Sequence, residues 1–150
     1  MAQATTTKFG ELLVTIGDGA TPTEVFAAPC GFTEKAFNLS AETVSTNVPD
    51  CDDPDAATWT ETDMRSRSVS ISGSGVLARQ SQKLWRDLFM SNSSRNMKVL
   101  FPGNLAAGGG TWSGKGRVTS LEFGGAIGER VSISVNIESD GAWIFTPAAA

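Results

Sequence analysis

"RSRSVSISGSGV", residues 65–76, is the stretch whose reading decides the fold. Its even positions are Ser66, Ser68, Ser70, Ser72 and Ser74; its odd positions are Arg67, Val69, Ile71, Gly73 and Gly75, with Leu77 next. Alternate side chains of a β-strand point to opposite faces, so this segment predicts a strand with one apolar face and one of almost pure serine. An ordinary solvated strand face mixes Lys, Glu, Thr and Arg. A face this small, uncharged and uniform needs a reason.

The pattern recurs along the chain. In "ERVSISVNIES" (129–139), Val131, Ile133, Val135 and Ile137 oppose Ser132, Ser134, Asn136 and Glu138. "KAFNLSAETV" (35–44) sets Phe37, Leu39 and Ala41 against Asn38, Ser40 and Glu42. "KGRVTSLEF" (115–123) sets Thr119, Leu121 and Phe123 against Val118, Ser120 and Glu122. "ELLVTIG", "EVFAAP", "NMKVLF" and "AWIF" read as further short strands, parted by turn-like Gly and Pro clusters such as "GDGATP", "PGN" and "LAAGGGTWSG". The period changes once, over residues 78–90. There Leu84, Trp85, Leu88 and Phe89 fall at helical spacing and predict an amphipathic helix covering one side of a sheet. Residues 46–64, rich in Asp, Thr and Pro, read as a long acidic inter-strand loop, a feature that is uncommon inside a compact domain and usually functional. The whole predicts a mainly β domain over 1–150: an antiparallel β-sandwich or partial barrel with one flanking α-helix.

Composition excludes several functions. The net charge of −4 argues against tight binding of nucleic-acid phosphates. Seven carboxylates (Glu42, Asp50, Asp52, Asp53, Asp55, Glu61 and Asp63) follow one another without a single Lys or Arg between them. The chain has no histidine, which removes His-assisted hydrolase chemistry, and its two cysteines, Cys30 and Cys51, leave too few soft ligands for zinc. No cofactor and no metal is expected. No apolar run reaches the roughly 18 residues of a membrane span, and the start carries neither a basic leader nor an apolar stretch, so neither membrane nor secretory signal is expected.

"GGTWSGK" (109–115) has the spacing of a phosphate-cradling loop, but Gly116 stands where a magnesium-holding hydroxyl is needed, and a strand follows in place of a helix. It reads as a plain loop. "DCDDPD" (50–55) has calcium-loop composition without the required ligand spacing, and a solvated turn explains it better. Trp59 beside it either folds back on its own sheet or anchors a partner, where Trp is enriched. The hydroxyl face has a plain reading too: one side of a half-buried antiparallel sheet is solvated, and serine is acceptable there. Pattern alone favours that reading.

The order of the segments tips the balance. "LLVTIGDG", "FNLSAETVSTNV", an acidic loop with a Trp, "SRSVSISGSGVL", a helix, then "GRVTSLEFGGAIGERVSISVNIESDG" resembles the major tail tube protein of long-tailed bacteriophages and phage-like particles, along nearly the whole chain. The resemblance implies six-membered rings stacked into a hollow tube that conducts double-stranded DNA from capsid to host. It also implies no catalysis, partners such as the tape measure, terminator and distal tail proteins, and a place in the virion tail after assembly in the host cytoplasm. A tube from a contractile tail or secretion apparatus shares the same logic; a carbohydrate-binding sandwich is the rival from another class.

A DNA conduit must not hold its cargo. A lysine wall would bind phosphates by counterion release, and aromatic groups would stack on bases. A hydroxyl wall with scattered carboxylates stays wet and repels weakly. The expected lumen-facing residues are therefore Ser68, Ser70, Ser72, Ser74, Ser132, Ser134, Asn136 and Glu138, with Asn38, Ser40, Glu42, Ser120 and Glu122. The acidic loop, with Asp50, Asp52, Asp53, Asp55, Trp59, Glu61 and Asp63, is expected to join subunits or rings, meeting basic residues such as Arg65, Arg67 or Arg95 of a neighbour.

Overall fold

A computed structural model of the chain describes residues 2–19 and 24–149. The turn expected over 17–22 and the first and last residues lie partly outside that range. Among the described residues, a 3-10 turn (Phe9–Glu11) is followed by eight strands and one α-helix: β1 (Leu13–Gly17), β2 (Phe26–Ala27), β3 (Phe32–Val48), β4 (Trp59–Val76), α1 (Arg79–Met90), β5 (Arg95–Phe101), β6 (Gly110–Gly124), β7 (Ser132–Ser139) and β8 (Ile144–Pro147). All pairings are antiparallel, in the order β2-β1-β5-β6-β7-β4-β3, with β8 added against β6.

β6 is long enough to belong to two layers. Its first half pairs with β5 and β8, its second half with β7, and a bulge between Val118 and Ser120 marks the bend. The sheet thus folds over one apolar core in which Ile16, Met97 and Val99 of one layer meet Val69, Ile71, Ile133, Val135 and Ile137 of the other. Fully burying such side chains stabilises by about 1.5–3 kcal/mol each. The ends of the strand order come together as well: the Lys35 ammonium of β3 donates to the Leu12 carbonyl at 2.8 Å and sits over the Phe9 ring. The helix closes the remaining side, burying Trp85 and Leu88 and setting Trp85 edge-on to Phe32; Phe89, at the margin of the stripe, stays exposed.

Three expectations are corrected. The acidic loop over 46–64 is mostly strand: β3 runs to Val48, β4 begins at Trp59, and only residues 49–58 form the turn. Thr, Val and Trp favour extended backbone, and pairing across the ribbon satisfies their amides, so Asp and Pro are confined to the tip. "GTWSG" (110–114), read as part of a glycine-rich turn and a plain loop, is strand paired on both edges. Glycine is there for packing, since a Cβ at Gly114 would lie 2.6 Å from the Trp143 ring. Last, Val118 is not on the polar face. The extra residue at Thr119 turns Val118 towards the core opposite Ile137 while leaving Ser120 and Glu122 outward.

Candidate functional site

Val118 apart, the strand registers bring the residues of the expected hydroxyl face to one side of β3, β4, β7 and β6. One cross-strand row reads Asn38, Ser70, Glu138; the next reads Ala36, Ser72, Asn136, Ser120; a third reads Glu34, Ser74, Ser134, Glu122. Ser132 stands between Val76 and Gly124 at one rim, and Ser40–Ser68 and Glu42–Ser66 extend the face at the other. The opposite parity, Val69, Ile71, Ile133, Val135 and Ile137, is buried. The apolar side of the sheet has the core, so the hydroxyl side has to look out.

Short bonds tie the face together. Ser40 Oγ and Ser68 Oγ lie 2.7 Å apart, Asn136 Nδ2 donates to Ser120 Oγ at 2.8 Å, and Ser74 Oγ donates to Glu34 Oε2 at 3.3 Å. Such pairs hold small side chains flat against the sheet. The carboxylates are Glu34, Glu42, Glu122 and Glu138. Glu34 went unread in the sequence, although two steps of alternation back from Asn38 lead to it. Arg117, which the register sets beside Glu138, is occupied by Asp140 Oδ2 at 3.3 Å and by the Asn92 carbonyl at 2.8 Å. The Ser94 hydroxyl, then the Arg117 guanidinium, hold the Asp140 carboxyl below its usual range. The face is polar, small and weakly acidic.

Beyond this wall β3 and β4 continue alone as a two-stranded arm, since β4 pairs with β7 only from Ser70 to Val76. A bulge at Arg65 changes the arm's pattern. Glu42 pairs with Ser66 and Thr43 with Met64, so one residue of β4 is extra and its alternation reverses. On the side continuous with the hydroxyl face the arm now carries Val44, Thr46 and Val48 with Asp63, Glu61 and Trp59. Trp59 is 87% exposed. Asp50, Asp52, Asp53 and Asp55 lie in the turn at the tip. Of the basic residues expected to meet them in a neighbour, Arg65 is paired with Glu42 of the same arm at 3.4 Å, and Arg95 donates to the Gly17 carbonyl at 3.3 Å. Arg67 sits on the core-side parity at the arm's base, opposite Ala41.

Among the described residues no group of three or more His, Cys, Asp or Glu is placed to hold a metal ion, and Cys30 and Cys51 are both exposed free thiols. Among the described residues no helix is long and apolar enough to cross a membrane.

Comparisons with known proteins relate this folded-over sheet, with its polar face and its two-stranded arm, to tail proteins. The chain is similar to the tail protein of an empty gene transfer agent particle refined with C6 symmetry: 23% identity, 94% of this chain and 99% of that one covered, TM-score 0.76. It is similar to the SPP1 tail tube at 11% identity, covering 95% of this chain and 80% of that one, TM-score 0.65. It is also similar to a chain of the sheath–tube complex of an extracellular contractile injection system, at 13% identity, 94% and 91% covered, TM-score 0.61. No curated protein sequence matches. The phage tail tube protein family model matches residues 6–145, and the chain belongs to that family, a structural component of the virion tail.

Proposed function

We propose that six copies of this chain close into a ring whose inner wall is the hydroxyl face, and that rings stack into a tube conducting double-stranded DNA. The observation that carries this reading is the cross-strand rows: thirteen residues chosen from alternation alone share one side of one sheet.

The free edges support it. Within the described chain, β3 pairs only with β4, and β6 from Arg117 to Gly124 pairs only with β7. Such edges invite another strand unless covered. Joining the β3 edge of one copy to the β6 edge of the next continues the sheet and buries both. Six copies with four wall strands each, at a spacing of ~4.8 Å and a tilt of ~35–45°, give a backbone barrel about 45–50 Å across. Small side chains keep that bore open, and hydroxyls keep it wet. The reading includes no catalytic role, contacts with tape measure, terminator and distal tail proteins at the tube's ends, and assembly in the host cytoplasm.

Electron cryomicroscopy of the assembled protein tests it. Rings with Ser70 and Ser134 at smaller radius than Val69 and Ile133 support the wall; the inverse order would overturn it.

A further inference from the structure

Given the tube proposed above, a subunit that has not yet met a neighbour carries a long unpaired edge, since β3 pairs only with β4 among the described residues. Edges of that kind collect wrong partners unless something covers them. The segment before β1 stands against the start of this one.

That segment keeps its shape by its own bonds. Phe9–Glu11 form the 3-10 turn, closed by the Glu11 amide donating to the Lys8 carbonyl at 3.0 Å and by the Lys8 amide donating to Glu11 Oε2 at 2.9 Å. None of the three residues is buried, and Phe9 is about half exposed. The turn is therefore not part of the core. Its bonds to β3 run through one side chain. Lys35, the single Lys or Arg of β3, donates from Nζ to the Leu12 carbonyl at 2.8 Å and lies 4.2 Å over the centre of the Phe9 ring.

Phe9 also shares a concavity of about 500 Å³ with Thr33, Glu34 and Ala36 of β3 and with Ser72 and Ser134 of the hydroxyl face. The ring thus stands where the free edge of β3 meets the wall. An aromatic ring at that rim is out of place in a finished conduit, because it stacks on bases. It is also in the way. The β6 edge of the next copy has to lie along the part of β3 that carries the wall residues, Glu34 to Glu42, and the turn overhangs the start of that stretch.

We infer that Lys8 to Leu12 form a strap, which covers the start of the β3 edge in the free subunit, with Lys35 as its catch, and gives way when the β6 edge of a second copy docks. A second copy binds only the uncovered fraction of subunits, so apparent affinity falls by that fraction and the strap sets a threshold for assembly.

The test is assembly of the full-length protein at graded concentrations, followed by light scattering and negative-stain microscopy. Phe9→Ala and Lys35→Met should each lower the concentration at which tubes appear by about three- to ten-fold, since each removes a contact of the catch. Loss of a residue that merely held the fold together would raise that concentration instead. In a Cys30→Ser, Cys51→Ser background, Phe9→Cys with Ala36→Cys should form an internal disulfide with diamide, stay unassembled while oxidised and assemble once reduced. A disulfide that fails to form, oxidised protein that assembles as the reduced protein does, or single variants with an unchanged or raised threshold would overturn the strap and leave the tube reading intact. Failure of the unaltered protein to form rings or tubes would remove the tube reading itself, and this inference with it.

Discussion

β3 and β4 run side by side for their whole length, yet their two halves differ in what supports them. From Asn38 to Glu42, against Ser66 to Ser70, one face is hydroxyl and carboxylate while the other begins to meet the core. From Thr43 to Val48, against Trp59 to Met64, no third strand and no core supports the ribbon, and its exposed side chains include Val44, Val48, Trp59 and Met64. A two-stranded ribbon is marginal in water by itself. The first half is supported by β7 and by the core of its own chain; the second is supported by neither among the described residues. The single extra residue at Arg65 is the border, because it reverses which β4 side chains share a face with Glu42.

The largest effect should come from the wall's hidden side. Val135→Asp, placing an unpaired carboxylate at a buried position, should abolish cooperative unfolding in a thermal melt, and Ile71→Ala should cost about 2–5 kcal/mol in denaturant unfolding. Ser72→Ala, one residue away on the hydroxyl side, should change stability by less than about 0.5 kcal/mol. Equal losses at Ile71 and Ser72 would erase the distinction between the two faces.

The arm should show the reverse behaviour. Replacing residues 45–62 by a short Asn-Gly turn should leave the melting temperature within a few degrees, since these residues lie outside the core cluster, yet prevent long tubes. A folded arm-less protein that polymerises normally by electron microscopy would contradict the division.

Ser70→Lys combined with Ser134→Lys addresses the hydroxyl side of the sheet. Subunits should fold and tubes form, but added double-stranded DNA should be retained by them at low salt and released as salt rises. Retention by the unaltered tubes, or none by the lysine tubes, would count against the proposed surface. The smallest effect belongs to Asp140→Asn. Its folded-state pKa is lowered, so the stabilisation it brings is present above the ordinary carboxylate range and fades as pH falls through the folded value. The variant should be slightly less stable at neutral pH and indistinguishable at strongly acid pH, a difference read from paired thermal melts.

Much of this was legible in the sequence because a strand's period is two. Once "SVSISGSG" is read as strand, the side of each residue follows, and the structure keeps that assignment for all thirteen face residues. Three places resist the reading, the first because alternation is local whereas a bulge is set by the partner strand. Val118 was assigned to the wrong side because nothing in "RVTSLEF" announces the extra residue at Thr119. The arm reads as loop because Asp and Pro crowd its tip and the paired strands on either side are exposed, so no apolar alternation marks them. Glycine misled similarly at Gly110–Gly114, where closeness to Trp143 and Phe145, not a turn, calls for the missing side chain.

The measurement that bears most directly on the central claim is a cryomicroscopy map of the assembled tube resolving side chains on β4 and β7. This account predicts Ser70, Ser72, Ser134 and Asn136 at the innermost radius, facing solvent in the bore, with Ile71 and Val135 behind them. Hydroxyls on the outer surface of the tube, or a bore lined by the arm's Trp59 and Val48, would contradict it.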